Sequence, residues 1–79
     1  MITLLFFGRL GDFAVGVPAT MEASTPAEIR TLLAADFPAL AKELSEPQVL
    51  VSVNKMIVDW DQHLLKGSEV AFLPPVTGG

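Results

Sequence analysis

A chain of 79 residues, 51 % hydrophobic and 18 % charged, suits one small domain but is too short to bury all of its apolar half, so part of that half should stay at the surface for a partner. The net charge of −4 is evenly spread: −2 over residues 1–40, where Arg9 and Arg30 stand against Asp12, Glu22, Glu28 and Asp36, and −2 over the rest. No basic stripe is available to a phosphate backbone, which argues against nucleic-acid binding, and the absence of cysteine excludes disulfides, thiolate metal sites and thiol nucleophiles.

The opening Met1-Ile2-Thr3-Leu4-Leu5-Phe6-Phe7-Gly8 has no basic flank and no small-residue cleavage site, so it reads as a strand and not as a signal peptide. The longest apolar run is about four residues against the roughly 20 that a bilayer span requires, and a cytoplasmic location without membrane contact is expected by elimination. Residues 2–7 are rich in strand formers and are closed by Gly8 and Gly11. Residues 15–22 look like a second strand returning antiparallel, with Pro18 marking a sheet edge. Thr25-Pro26-Ala27-Glu28 combines an N-cap hydroxyl, a proline at the first helical position and a glutamate that reaches back to the cap. The helix begun there repeats Ile29, Leu32, Leu33 and Phe37 on one face and must end near Asp36, because Pro38 disfavours helical backbone before it. Ala39 to Leu44 are expected to add a short helical turn.

After Pro47, the β-branched run Val49-Leu50-Val51-Ser52-Val53 reads as a central strand, with Asn54-Lys55 turning into Met56-Ile57-Val58. Residues 59–68 look irregular. Glu69-Val70-Ala71-Phe72-Leu73 forms the last strand, closed by Pro74-Pro75, neither of which has an amide hydrogen for the ladder. The expected architecture is α+β: a mixed sheet with one main helix across one face, in the order ββαββ, a β-grasp of the ubiquitin type occupying residues 1–73, with residues 74–79 as a tail. Alternation sends Ile2, Leu4 and Phe6 toward the helix and Thr3, Leu5 and Phe7 away from it. Likewise Val70 and Phe72 point in, and Glu69, Ala71 and Leu73 point out. Leu5, Phe7 and Leu73 should therefore be exposed apolar neighbours and form a protein interface.

The tail Val76-Thr77-Gly78-Gly79 follows the stiff Pro74-Pro75 pair, which favours an extended course away from the sheet. Extended, residues 74–79 reach on the order of 20 Å, and two residues without side chains can enter a slot too narrow for any other. The chemistry of such a tip is its terminal carboxylate, ionised and inert as an acyl donor at pH 7 until adenylation gives it a good leaving group. Gly8-Arg9-Leu10-Gly11 lacks the spacing and lysine of a phosphate-binding loop, so another protein must supply the nucleotide site.

The C-terminal run Gly67-Ser68-Glu69-Val70-Ala71-Phe72-Leu73-Pro74-Pro75-Val76-Thr77-Gly78-Gly79, with the opening Leu5-Phe6-Phe7-Gly8-Arg9-Leu10 and the strand Val51-Ser52-Val53-Asn54, resembles the ubiquitin-like sulfur carriers that form the small subunit of molybdopterin synthase. Ser68 and Gly11 depart from that pattern, in which aspartate and arginine are usual. The resemblance implies that an adenylyltransferase similar to ubiquitin-activating enzymes uses ATP on Gly79, and that sulfur from a donor protein's persulfide then replaces one oxygen. The thiocarboxylate so formed enters the large subunit of a heterotetramer and gives sulfur to cyclic pyranopterin monophosphate, two transfers building the dithiolene. On that reading Gly79 and Gly78 carry the chemistry. Leu5, Phe7, Leu73, Pro74, Pro75, Val76 and Thr77 meet the partner, the catalytic side chains belong to the large subunit, and this chain binds no cofactor of its own.

Other readings of the same residues stay open: a carrier for thiamin synthesis or tRNA thiolation, a modifier joined to lysines, or an interaction module whose glycines are incidental. His63, the single histidine, has no second ligand beside it and reads as a surface residue, so no metal site is expected. Asp59 and Asp61, on either side of Trp60, read as solvated loop acids beside a partly buried ring.

Overall fold

The computed structural model describes residues 1–75. Its elements are β1 (Ile2–Phe6), α1 (Leu10–Phe13), β2 (Thr20–Met21), α2 (Pro26–Asp36), α3 (Pro38–Leu44), β3 (Leu50–Val53), β4 (Met56–Val58) and β5 (Glu69–Leu73). The strands form one sheet in the order β2-β1-β5-β3-β4, with β1 and β5 parallel and every other pair antiparallel. A parallel pair needs a long crossover, and here nearly the whole chain serves as that connection. This is the expected α+β, β-grasp arrangement of a mixed sheet with helices on one face.

Local chemistry sets the element boundaries. The Glu28 backbone N–H donates to Thr25 Oγ1 at 3.1 Å, and Pro26 takes the first helical position, where a missing N–H loses nothing. The reciprocal bond goes one residue beyond the cap, since the Ser24 N–H and not that of Thr25 donates to Glu28 Oε1, at 2.6 Å. Phe37 closes α2 by donating its N–H to the Leu33 carbonyl at 2.7 Å, and Pro38 at once opens α3. The short turn expected after Pro38 is thus a seven-residue helix that contributes Leu40, Ala41 and Leu44 to the interior.

The core lies between the helices and one face of the sheet. Ile2 and Leu4 of β1, Val70 and Phe72 of β5 and Val51 of β3 meet Leu10 of α1, Ile29 and Leu33 of α2, and Leu40 and Leu44 of α3. Phe72 is fully buried at its centre, stacked on Phe6 with ring centroids 5.2 Å apart and on Trp60 at 5.6 Å. The Arg30 guanidinium covers the Trp60 ring at 4.5 Å.

Five details differ from the sequence reading. The expected strand 15–22 shrinks to Thr20–Met21, because Gly16 adopts φ +90° and Pro18 has no N–H to pair. The residues before it wind into α1, whose Leu10 is fully buried. The order ββαββ is one strand short, since both arms of the hairpin 50–58 are ladder-bonded. β1 ends at Phe6, one residue short of the expected run 2–7, while β3 is an interior strand between β5 and β4 as expected. Leu32, expected on the core face of α2, keeps 47 % of its surface exposed, because the sheet meets the Ile29–Leu33 stripe.

Candidate docking face and tail root

The face of the sheet away from the helices carries an apolar patch whose members are set side by side by strand register. Leu5 on β1 is directly opposite Ala71 on β5, Ala71 is opposite Ser52 on β3, and Ser52 is opposite Ile57 on β4. Leu73 of β5 is opposite Leu50 of β3, next to that row. Phe7 continues β1 by donating its N–H to the Phe72 carbonyl at 3.0 Å, so alternation places its ring on this same face. Leu5, Phe7, Leu50, Ile57, Ala71 and Leu73 therefore form one apolar surface spanning four strands.

Their exposure follows from position. Phe7 and Leu50 are each 47 % exposed and Ile57 59 %, whereas Ala71, in the middle of its row, is buried and Leu5 and Leu73 are half-buried. The expectation of three exposed side chains thus holds in full for Phe7 alone, since neighbours across the strands cover much of Leu5 and Leu73. Leu50 and Ile57 escaped the sequence reading. The two-residue turn Asn54-Lys55 was the available signal, because it fixes Ser52 opposite Ile57.

The tail root sits at one corner of this face. β5 ends at Leu73, and Pro74 and Pro75 are half-buried beyond it. Gly8, at φ +55°, lies under Pro74: a β-carbon there would stand 2.8 Å from Pro74 Cγ. A wider side chain at residue 8 would displace the first tail residue. Val76, Thr77, Gly78 and Gly79 lie outside the described residues, so the sequence reading of an extended tip carrying the chemistry rests on the sequence.

The remaining candidates stand apart from this corner. His63 is exposed and lines an open cleft of about 470 Å³ on the helix side of the sheet, with Val53, Met56, Val58 and Leu65, at the end of β5 opposite the tail. Asp59 and Asp61 are exposed and Trp60 is half-buried. Among the described residues no group of three His, Cys, Asp or Glu side chains gathers as a metal site, and no helix is long and apolar enough to cross a membrane. The arrangement can do two things: present an apolar surface to a partner, and launch a chain end from the corner beside it.

The model of the ThiS family matches residues 4–79. The molybdopterin synthase sulfur carrier subunit of Escherichia coli (strain K12) is 40 % identical, with the alignment covering 100 % of both chains. Among solved structures, SAMP1 from Haloferax volcanii superposes with a TM-score of 0.75 at 22 % identity, covering 99 % of this chain and 98 % of that one. A protein–protein complex of subunits 1 and 2 of molybdopterin-converting factor from Helicobacter pylori 26695 contains a chain with a TM-score of 0.65 at 21 % identity, covering 99 % of this chain and 97 % of that one.

Proposed function

The chain belongs to the ThiS family, and from that premise we propose that it is the sulfur carrier subunit of a molybdopterin synthase. The observation that carries the reading is the 40 % identity to a curated sulfur carrier subunit over 100 % of both chains. A large synthase subunit is the partner, as subunit 2 is for the molybdopterin-converting factor of H. pylori. The apolar face around Leu5, Phe7, Leu50 and Leu73 supplies the adhesive surface, and Pro74-Pro75 starts the tail at its corner.

The chemistry follows from what the chain lacks. Without a cysteine, activated sulfur has no side chain to ride on, and the acyl carbon of Gly79 is the group left for it. An adenylyltransferase similar to ubiquitin-activating enzymes transfers AMP from ATP to the Gly79 carboxylate. The outer sulfur of a donor protein's persulfide attacks that acyl carbon and expels AMP with the oxygen it carries, and a second thiol on the donor then reduces the acyl disulfide so formed, leaving a thiocarboxylate on Gly79 and a disulfide on the donor. In the large subunit's cleft that thiocarboxylate gives its sulfur to cyclic pyranopterin monophosphate, and two such deliveries complete the dithiolene. The two subunits assemble as a heterotetramer in the cytoplasm.

Intact-mass measurement of the chain purified from its own host tests this. One sulfur in place of one oxygen at Gly79 is the expected product, while a ladder of isopeptide-linked species would identify a protein modifier instead. Deleting Gly79 is expected to abolish sulfur transfer and leave the thermal midpoint unchanged, because the last strand ends at Leu73 and the described core residues all precede it in sequence. Full activity in the truncated chain would overturn the assignment.

A further inference from the structure

The sheet has two outer strands, and they are guarded unequally. β2 is two residues long and is preceded by Pro18, whereas β4 presents Met56 at 71 % exposure and Ile57 at 59 %, with no element beyond it among the described residues. The turn joining β3 to β4 has Asn54 at φ 51° and Lys55 at φ 72°, the left-handed pair of a two-residue hairpin. Such a turn makes Val53 and Met56 a hydrogen-bonded pair and Val51 and Val58 the next one. Ile57, between them, therefore turns its N–H and C=O outward. Among the described residues no backbone hydrogen bond engages those two groups.

We infer that β4 is a self-pairing edge, through which two copies of this chain associate about a two-fold axis at Ile57. Antiparallel pairing about that residue sets Ile57 against Ile57, Met56 against Val58 twice, and Lys55 against Asp59 twice. The outward N–H and C=O of each Ile57 then satisfy one another. The charges that flank the strand, Lys55 in the turn and Asp59 after Val58, come beside their opposites, and each apolar side chain meets another. Sliding the copies by two residues would oppose Lys55 or Asp59 to Ile57, a charge against an apolar side chain, so the centred register is chosen by the sequence of the edge itself. Lys55 and Asp59 are both exposed, and neither takes part in an ion pair among the described residues. The tail root on β5 is two strands away, so pairing leaves Pro74 and the chain beyond it accessible.

A contact this small makes a weak dimer, populated above about 0.1 mM. Sedimentation velocity of the full chain, from about 10 µM to about 1 mM in low salt, is expected to show a concentration-dependent rise from monomer toward dimer mass. Asp59→Lys, which sets lysine against lysine twice, should weaken association at least about tenfold. The double variant Lys55→Asp with Asp59→Lys should restore it. Ile57→Pro removes the outward N–H without touching a β3–β4 bond, and should give a folded monomer by circular dichroism. A mass that stays monomeric throughout overturns the inference. So does association indifferent to Asp59→Lys, failure of the double variant to recover, or association lost with Phe7→Glu while Asp59→Lys leaves it intact, which would place the contact on the open face.

Discussion

Phe7, Leu32 and Leu50 each keep 47 % of their surface exposed, so exposure alone does not separate a docking residue from an ordinary surface one. Neighbours do. Phe7 and Leu50 lie on the open face beside Leu5 and Leu73, whereas Leu32 stands on α2, which packs on the opposite face of the sheet. On the proposed reading, Phe7→Glu would bury an unpaired carboxylate in the complex with a large subunit. Its Kd is expected to rise by about 30-fold or more, the roughly 2 kcal/mol of an interface anchor, with the thermal midpoint little changed. Leu32→Glu, equal in exposure and charge, should leave the Kd where it was. Calorimetric titration of the two variants with the large subunit checks both expectations, and equal weakening by the pair would remove the open face from the interface.

At the scale of elements, α2 shows why some of the fold was legible in sequence. Thr25, Pro26, Glu28 and Pro38 act within a few residues of the boundary they set, so their chemistry is visible without tertiary context. Thr25→Ala removes the acceptor of the Glu28 N–H and is expected to cost about 1 kcal/mol, a fall of about 4–8 °C in the thermal midpoint of a chain this size. Thr25→Ser should recover most of it, and a calorimetric scan of the two variants decides. The elements that escaped have tertiary causes. α1 is a four-residue helix fixed by the burial of Leu10 under α3 and the sheet, and no periodic pattern fits in four residues. β2 shortened because the backbone at Gly16 and Pro18 belongs to a loop, although the side chains of 15–22 read as a strand. Leu50 and Ile57 were missed for a related reason. Alternation tells which residues of one strand share a face, while only the pairing of β5 with β3 and of β3 with β4 tells which faces join.

For the molecule as a whole, one sheet separates two jobs, with the stability core on one side and the proposed docking face on the other. The two meet on β5, where Val70 and Phe72 point into the core, Ala71 and Leu73 point out, and the tail begins at the strand's end. Loss of the tail should therefore spare the fold, but loss of the core must remove the docking face with it. Phe72 is the sharpest test, fully buried between Phe6 and Trp60. Phe→Ala in a core costs about 3–5 kcal/mol, and at roughly 0.05–0.15 kcal/mol per residue a chain of this length has only about 4–12 to lose. Phe72→Ala is expected to lower the urea midpoint by about a quarter or more and to reduce binding of the proposed large subunit in proportion to the folded fraction. Phe72→Leu, which keeps most of the volume, should cost less than half as much. Trp60 is the single tryptophan and rests against Phe72, so its fluorescence reports the same transition as far-ultraviolet circular dichroism, and the two midpoints should coincide in the parent and in each variant. A Trp60 transition well below that of the backbone would mean that the loop 59–68 opens independently, and that the aromatic stack does not tie it to the core.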